Sequence, residues 1–168
     1  MNNKLKYVGY SIVLQEIPDE VTLAINISGC PHRCEGCHSA YLWEHNGYYI
    51  SEDLEDLMEK YKGLISCVCF MGGTQNQMEL GKLLLYIKQH NLKTALYTGL
   101  DSMNDINTDV LENLDYCKVG HYNQSVGGLN NRNTNQRMFK RDLESNGWND
   151  ITYKFWKEER TNEDDSKS

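Results

Sequence analysis

The chain has 168 residues, 39% of them hydrophobic and 24% charged, with a formal net charge of −7. That length predicts one domain with a substantial core, and its 11 Tyr, 3 Trp and 3 Phe exclude a wholly disordered chain. The acidic balance excludes binding to a nucleic-acid backbone, which needs clustered Lys and Arg.

No stretch reaches the length of a membrane span. Met1 to Tyr10 lacks the apolar core of a signal peptide. The expected compartment is the cytosol, where six cysteines suggest metal or redox chemistry rather than disulfides.

In chain order, residues 21–27 form a β-rich apolar run that ends at Ser28-Gly29 and reads as a strand. A cysteine-rich loop, Cys30 to Cys37, follows it. Ser51 opens a helix with Glu52 and Asp53 in its first turn. Leu54, Leu57, Met58 and Tyr61 make its apolar face, and Gly63 stops it.

Leu64 to Phe70 reads as a buried strand broken by Gly72-Gly73. Asn76 and Glu79 have the spacing of a capping box. The helix they start runs through Met78, Leu83, Leu84 and Ile87 to about His90. A third strand spans Thr94 to Thr98, before Gly99. A short helix is expected from Thr108 to Leu114, then a fourth strand from Asp115 to Val119, before Gly120.

This alternation predicts an α/β fold with a mostly parallel sheet. Functional groups should lie on the loops after the strand C-termini, marked here by Gly29, Gly72-Gly73, Gly99 and Gly120. Ile151 to Trp156 reads as one more strand. The domain is expected to cover residues 1–157, with a disordered acidic tail at 158–168.

The segment Cys30-Pro31-His32-Arg33-Cys34-Glu35-Gly36-Cys37 spaces three cysteines as CxxxCxxC directly after a strand. Soft thiolates on one loop suit zinc, copper(I) or an iron–sulfur cluster. Structural zinc and an ordinary 4Fe–4S cluster each want four ligands. Three local thiolates therefore suggest a centre with one open position for a substrate. A zinc loop would need a distant fourth ligand among His32, His38, Cys67, Cys69 and Cys117. Cys67 and Cys69 point to one face of their strand and read as small core residues, as does Cys117.

In this spacing and position the segment resembles the radical S-adenosylmethionine superfamily. That resemblance implies a shortened, partial (open) parallel β/α barrel. It also implies a 4Fe–4S cluster on Cys30, Cys34 and Cys37, with S-adenosylmethionine on the open iron. Reductive cleavage would give methionine and a 5′-deoxyadenosyl radical. Phe70-Met71-Gly72-Gly73-Thr74 is similar to the superfamily's double-glycine motif, whose backbone carbonyls receive the S-adenosylmethionine amino group. Thr74-Gln75 stand where relatives carry an acidic residue and a proline. Gly36 replaces an aromatic residue found in many members.

The stretch from Ile27 to Cys37, with Trp43, resembles the activating proteins of anaerobic ribonucleoside-triphosphate reductase. So do Leu96-Tyr97-Thr98-Gly99, Lys118-Val119-Gly120-His121-Tyr122, Gly127-Gly128-Leu129 and Thr134-Asn135-Gln136-Arg137. His121 stands where some relatives have proline. The resemblance runs from about residue 6 to residue 140. It implies an oxidoreductase that installs a glycyl radical on the large reductase subunit, fed by a flavodoxin or ferredoxin. Gly36, His38, Gly72, Gly73 and Thr98 are the implied cofactor-binding residues.

His32, His38, His45 and His121 each read first as a surface or loop histidine; His38, beside Cys37, is placed nearest the adenosine. Tyr41, Trp43, Tyr48 and Tyr49 form an aromatic group that suits either core packing or a partner interface. The competing readings are a pyruvate formate-lyase activase, a carboxy-deazaguanine synthase and a zinc-binding interaction module.

Overall fold

The computed structural model describes residues 4–29 and 45–156. The expected acidic tail lies outside them. The first strand, β1 (Lys6–Val13), gives no clear signal in the sequence, because Lys6, Gly9 and Ser11 interrupt its apolar pattern. It pairs antiparallel with β2 (Thr22–Ile27), and β3 (Tyr48–Tyr49) pairs antiparallel with the start of β1.

The helix α1 (Ile50–Lys60) follows, burying Ile50, Leu54, Leu57 and Met58 on the expected face. The next strand, β4 (Cys67–Met71), begins later than hydrophobicity suggests. Leu64 closes a turn onto the carbonyl of Tyr61 (2.9 Å) and is 58% exposed.

The next helix, α2 (Gln77–Gln89), starts as its cap predicts, with the Asn76 side chain accepting from the Glu79 amide at 3.2 Å. The second half of the capping box does not form. The Glu79 carboxylate accepts from the Leu5 amide instead (2.9 Å), tying the helix start to the chain ahead of β1. Met78, expected on the apolar face, is 72% exposed; Leu80, Leu83, Leu84 and Ile87 carry that face.

Then come β5 (Lys93–Tyr97), the short α3 (Thr108–Leu111) and β6 (Tyr116–Val119). The helix α3 stops short of Leu114 because its last amides tighten onto carbonyls three residues back. Past Gly120 the chain forms an antiparallel extension, β7 (Arg137–Arg141) and β8 (Trp148–Asp150). The strand expected at 151–156 is a 3₁₀ turn, Thr152–Phe155. Asp150 starts it by accepting from the Thr152 amide at 2.9 Å.

The result is one eight-stranded sheet in the order β3-β1-β2-β4-β5-β6-β7-β8. Its centre, β2-β4-β5-β6, is parallel, and both flanks are antiparallel. The fold is thus α/β, as expected, but the described sheet is not mostly parallel: four of its seven pairings are antiparallel. The connections from β1 to β2 and from β7 to β8 are too short for the crossover helix that parallel strands need. The described strands form an open sheet and not a closed barrel.

Two apolar layers hold the sheet. One packs the helices on Leu23, Ile25, Ile27, Val68, Phe70, Leu96, Cys117 and Val119. The other covers the opposite face with Ile17, Met138 and Ile151 against Cys67, Cys69, Ala95 and Tyr116.

At the N-terminal edge of the parallel strands one carboxylate joins all four. Glu20, just ahead of β2, accepts from Ser66 Oγ (2.8 Å), Lys93 Nζ (2.9 Å) and Tyr116 OH (2.8 Å). These donors belong to the starts of β4, β5 and β6. Burial would raise the Glu20 pKa, but the hydrogen bonds from Lys93, Ser66 and Tyr116 together hold it below the usual carboxylate value. Burial and the same contact push the Tyr116 phenol well up.

Candidate functional site

The parallel register sets Asn26 beside Met71, Met71 beside Tyr97, and Tyr97 beside Lys118. The four strands therefore end together, and the glycine-marked loops leave the sheet at one edge. Gly29, Gly72, Gly73 and Gly120 have φ of +78°, +100°, +116° and +106°. These are left-handed conformations that side chains rarely adopt.

The double glycine is explained by these angles rather than by crowding. A Cβ on Gly72 would meet Ile27, and one on Gly73 would meet Leu80 and Leu5, at ordinary contact distances of 3.4 Å or more. Both would point into the fold. Backbone strain, not lack of space, is what excludes a side chain at Gly73. At Gly120 crowding adds to the strain, since a Cβ would lie 2.9 Å from the Gln136 Cα.

Thr98 is buried, and its hydroxyl is engaged inside the fold. Its Oγ1 lies 3.3 Å from Thr74 Oγ1 and accepts from the Leu100 amide at 3.1 Å. Lys118 was not singled out from the sequence, yet it knots this edge. It is buried, and its ammonium donates to the carbonyls of Thr98 (3.2 Å) and Gly120 (2.8 Å). A lysine inside an apolar strand was the available signal.

The Thr134-Asn135-Gln136 run braces the same edge. Gln136 Nε2 donates to the Gly120 carbonyl (3.3 Å), Asn135 Nδ2 to the His121 carbonyl (3.1 Å), and Thr134 Oγ1 to the Gly127 carbonyl (3.0 Å). His121 is exposed, with Nδ1 2.6 Å from Asp101 Oδ1, which links the loops after β5 and β6.

Cys30, Cys34, Gly36, Cys37, His32, His38, Tyr41 and Trp43 lie outside the described residues. Gly29, the described residue before Cys30, follows the end of β2 at this edge. His45 faces the Lys4 carbonyl at 3.2 Å. Tyr48 is 72% exposed and stands 6.2 Å from the Tyr7 ring, while Lys6 lies over the Tyr49 ring at 5.1 Å.

The remaining cysteines are chemically quiet. Cys67, Cys69 and Cys117 are fully buried. Burial raises all three thiol pKa values, that of Cys117 to about 12, so they stay protonated in the fold. Among the described residues no three Cys, His, Asp or Glu side chains converge as a metal site. The described residues thus offer no fourth cysteine beside the CxxxCxxC segment, and soft thiolates of that kind fit an iron–sulfur cluster.

The model of the family described as a 4Fe-4S single cluster domain matches residues 20–139. The chain belongs to that family. The match starts at Glu20, takes in the whole cysteine loop and all four parallel strands, and ends in β7. As a single-cluster 4Fe–4S protein, the chain has its CxxxCxxC segment as the cysteine-rich stretch within the matched span. No curated protein and no solved structure matches the chain. None of its described helices is long and apolar enough to cross a membrane.

Proposed function

We propose that this protein is a radical S-adenosylmethionine enzyme that installs a glycyl radical on the large subunit of an anaerobic ribonucleoside-triphosphate reductase, with a flavodoxin or ferredoxin as electron donor. The observation that carries the reading is the CxxxCxxC spacing, which begins one residue beyond Gly29 in the sequence, together with the common sheet edge at which β2, β4, β5 and β6 end in Gly29, Gly72-Gly73, Gly99 and Gly120. Membership of the single-cluster 4Fe–4S family and the sequence resemblance both support it.

In this reading Cys30, Cys34 and Cys37 hold the cluster. The chemistry that a bound cluster supplies is a single electron for cleavage of the sulfonium C–S bond. Gly72 and Gly73 present backbone carbonyls to the amino group of S-adenosylmethionine. Gly36 and His38 lie next to the third ligand, beside the adenosine, and Thr98 shapes the neighbouring loop. Lys118 and Gln136 fix the loop carbonyls, so the edge keeps its shape when a ligand binds. Cys69, Ala95, Tyr116 and Met138 pack as an apolar layer on one sheet face. The site's open side is left for the partner's glycine loop.

The test is anaerobic reduction of the reconstituted protein with S-adenosylmethionine and its cognate reductase. The expected product is 5′-deoxyadenosine, with a glycyl-radical doublet in electron paramagnetic resonance. That doublet should vanish when the partner's radical glycine becomes alanine. Rapid turnover of a free small molecule without a partner would replace this reading with that of a carboxy-deazaguanine-type enzyme.

Gly73→Val is expected to retain the iron and weaken S-adenosylmethionine binding roughly tenfold. The valine must either adopt φ near +116° or move the loop, at a cost of about 1–3 kcal/mol. Isothermal titration of the reconstituted variant measures this directly, and wild-type affinity would remove Gly73 from the site.

A further inference from the structure

The chain leaves β2 through Ser28-Gly29 and comes back at His45-Asn46, and the two ends meet. Ser28 is fully buried, and its amide donates to the Lys6 carbonyl at 2.9 Å. Its hydroxyl accepts from the Asn46 amide at 3.0 Å and donates to the Asn46 carbonyl at 2.5 Å. One side chain thus clasps the first and last turns around the cysteine segment.

A second side chain reaches this clasp from the double-glycine loop. Gln75 lies in the 3₁₀ turn Thr74–Asn76 that follows Gly73. Its Nε2 donates to the Ser28 carbonyl at 2.8 Å. A Cβ on Gly29 would lie 3.5 Å from both that nitrogen and His45 Cβ, so Gln75 and His45 both stand beside Gly29. The Ser28 carbonyl belongs to the peptide that leads into Gly29 and Cys30. The neighbouring Thr74 reaches the other way, to Thr98. A carboxylate in place of Gln75 has no proton to give the Ser28 carbonyl, whereas an amide does.

We infer that Gln75 is a positioning residue: it seats the entry of the cysteine loop on the double-glycine loop, so that a ligand held at the glycines is felt at the cluster. The seating rests on the hydrogen bonds alone. The coupling to S-adenosylmethionine rests on the function proposed above.

The experiment is anaerobic release of iron from the reconstituted full-length protein to bathophenanthroline disulfonate. It compares wild type, Gln75→Leu and Gln75→Glu, with Gln77→Leu as control, because Gln77 bonds to the Asp105 carbonyl away from the clasp. All four should load the same iron. Release should be about fivefold faster in both Gln75 variants, the effect of one lost hydrogen bond, and unchanged in Gln77→Leu.

S-Adenosylmethionine should slow release from wild type and slow it less in Gln75→Leu. A purely structural role would leave that protection intact. Equal release rates in Gln75→Leu and wild type would overturn the inference. If Gln75→Leu fails to load iron, amide exchange of the cluster-free chain decides: faster exchange at Gly29 and Asn46 supports the seating, and unchanged exchange overturns it. Failure of S-adenosylmethionine to protect wild type counts against the proposed function, while the seating is still judged on chelator and exchange rates.

Discussion

Alanine at Cys30, Cys34 or Cys37 is expected to abolish both iron loading and S-adenosylmethionine cleavage. Each thiolate is one of three protein anchors, and the described part of the chain offers no substitute. Cys67, Cys69 and Cys117 are buried thiols with raised pKa values, and they face two different apolar layers. Recruiting any of them would mean opening the core and deprotonating a group that burial keeps neutral. Cys67→Ala and Cys69→Ala should therefore keep full iron content, at a packing cost of about 1 kcal/mol each. Iron analysis with visible absorption of the five single variants checks this. Iron lost in Cys67→Ala but kept in Cys34→Ala would reverse the ligand assignment.

Glu20→Gln should be the most destabilising of the conservative changes at the far edge of the sheet. The carboxylate is 6% exposed and takes hydrogen bonds from Ser66, Lys93 and Tyr116, which stand at the starts of three strands. The amide keeps one acceptor oxygen and turns a second donor toward Tyr116 and Lys93. Lys93 is half exposed and can rehydrate, so its share is discounted; Tyr116 is buried and cannot. The expected loss is about 2–4 kcal/mol, or a melting temperature lower by roughly 10 °C for a chain of this size.

The pH dependence has a definite sign. The Glu20 pKa is lowered in the fold, so its contribution is complete above the unfolded-state value of about 4.3 and is lost as pH falls through the folded value. Melts of wild type and Glu20→Gln should differ by a constant amount near neutrality and converge in acid. A difference that widens in acid would show that Glu20 is not the ionised hub described.

The sequence by itself determined the parallel centre of the fold and the iron–sulfur character of the chain. The strand at 22–27, the faces of α1 and α2, the Asn76 cap and the stops at Gly72-Gly73 and Gly120 were legible because each depends on neighbours a few residues apart: side-chain period, an N-cap, a left-handed φ. The CxxxCxxC spacing was legible for the same reason, and the family match confirms a 4Fe–4S protein.

Tertiary structure decided what depends on partners far along the chain. β1 is a strand because β2 offers it an edge and apolar cover, although its own residues alternate poorly. Glu79 abandoned its half of the capping box for the Leu5 amide, 74 residues away. Met78 fell outside the apolar face, because the packing of α2 against its neighbours, not its hydrophobicity, chose which side is buried. The Glu20–Tyr116, Lys118–Thr98 and Gln75–Ser28 contacts join residues 20 to 96 positions apart. A single chain carries no local trace of such pairs. They form because folding removes these polar groups from water, and each must then find a partner wherever the sheet brings one.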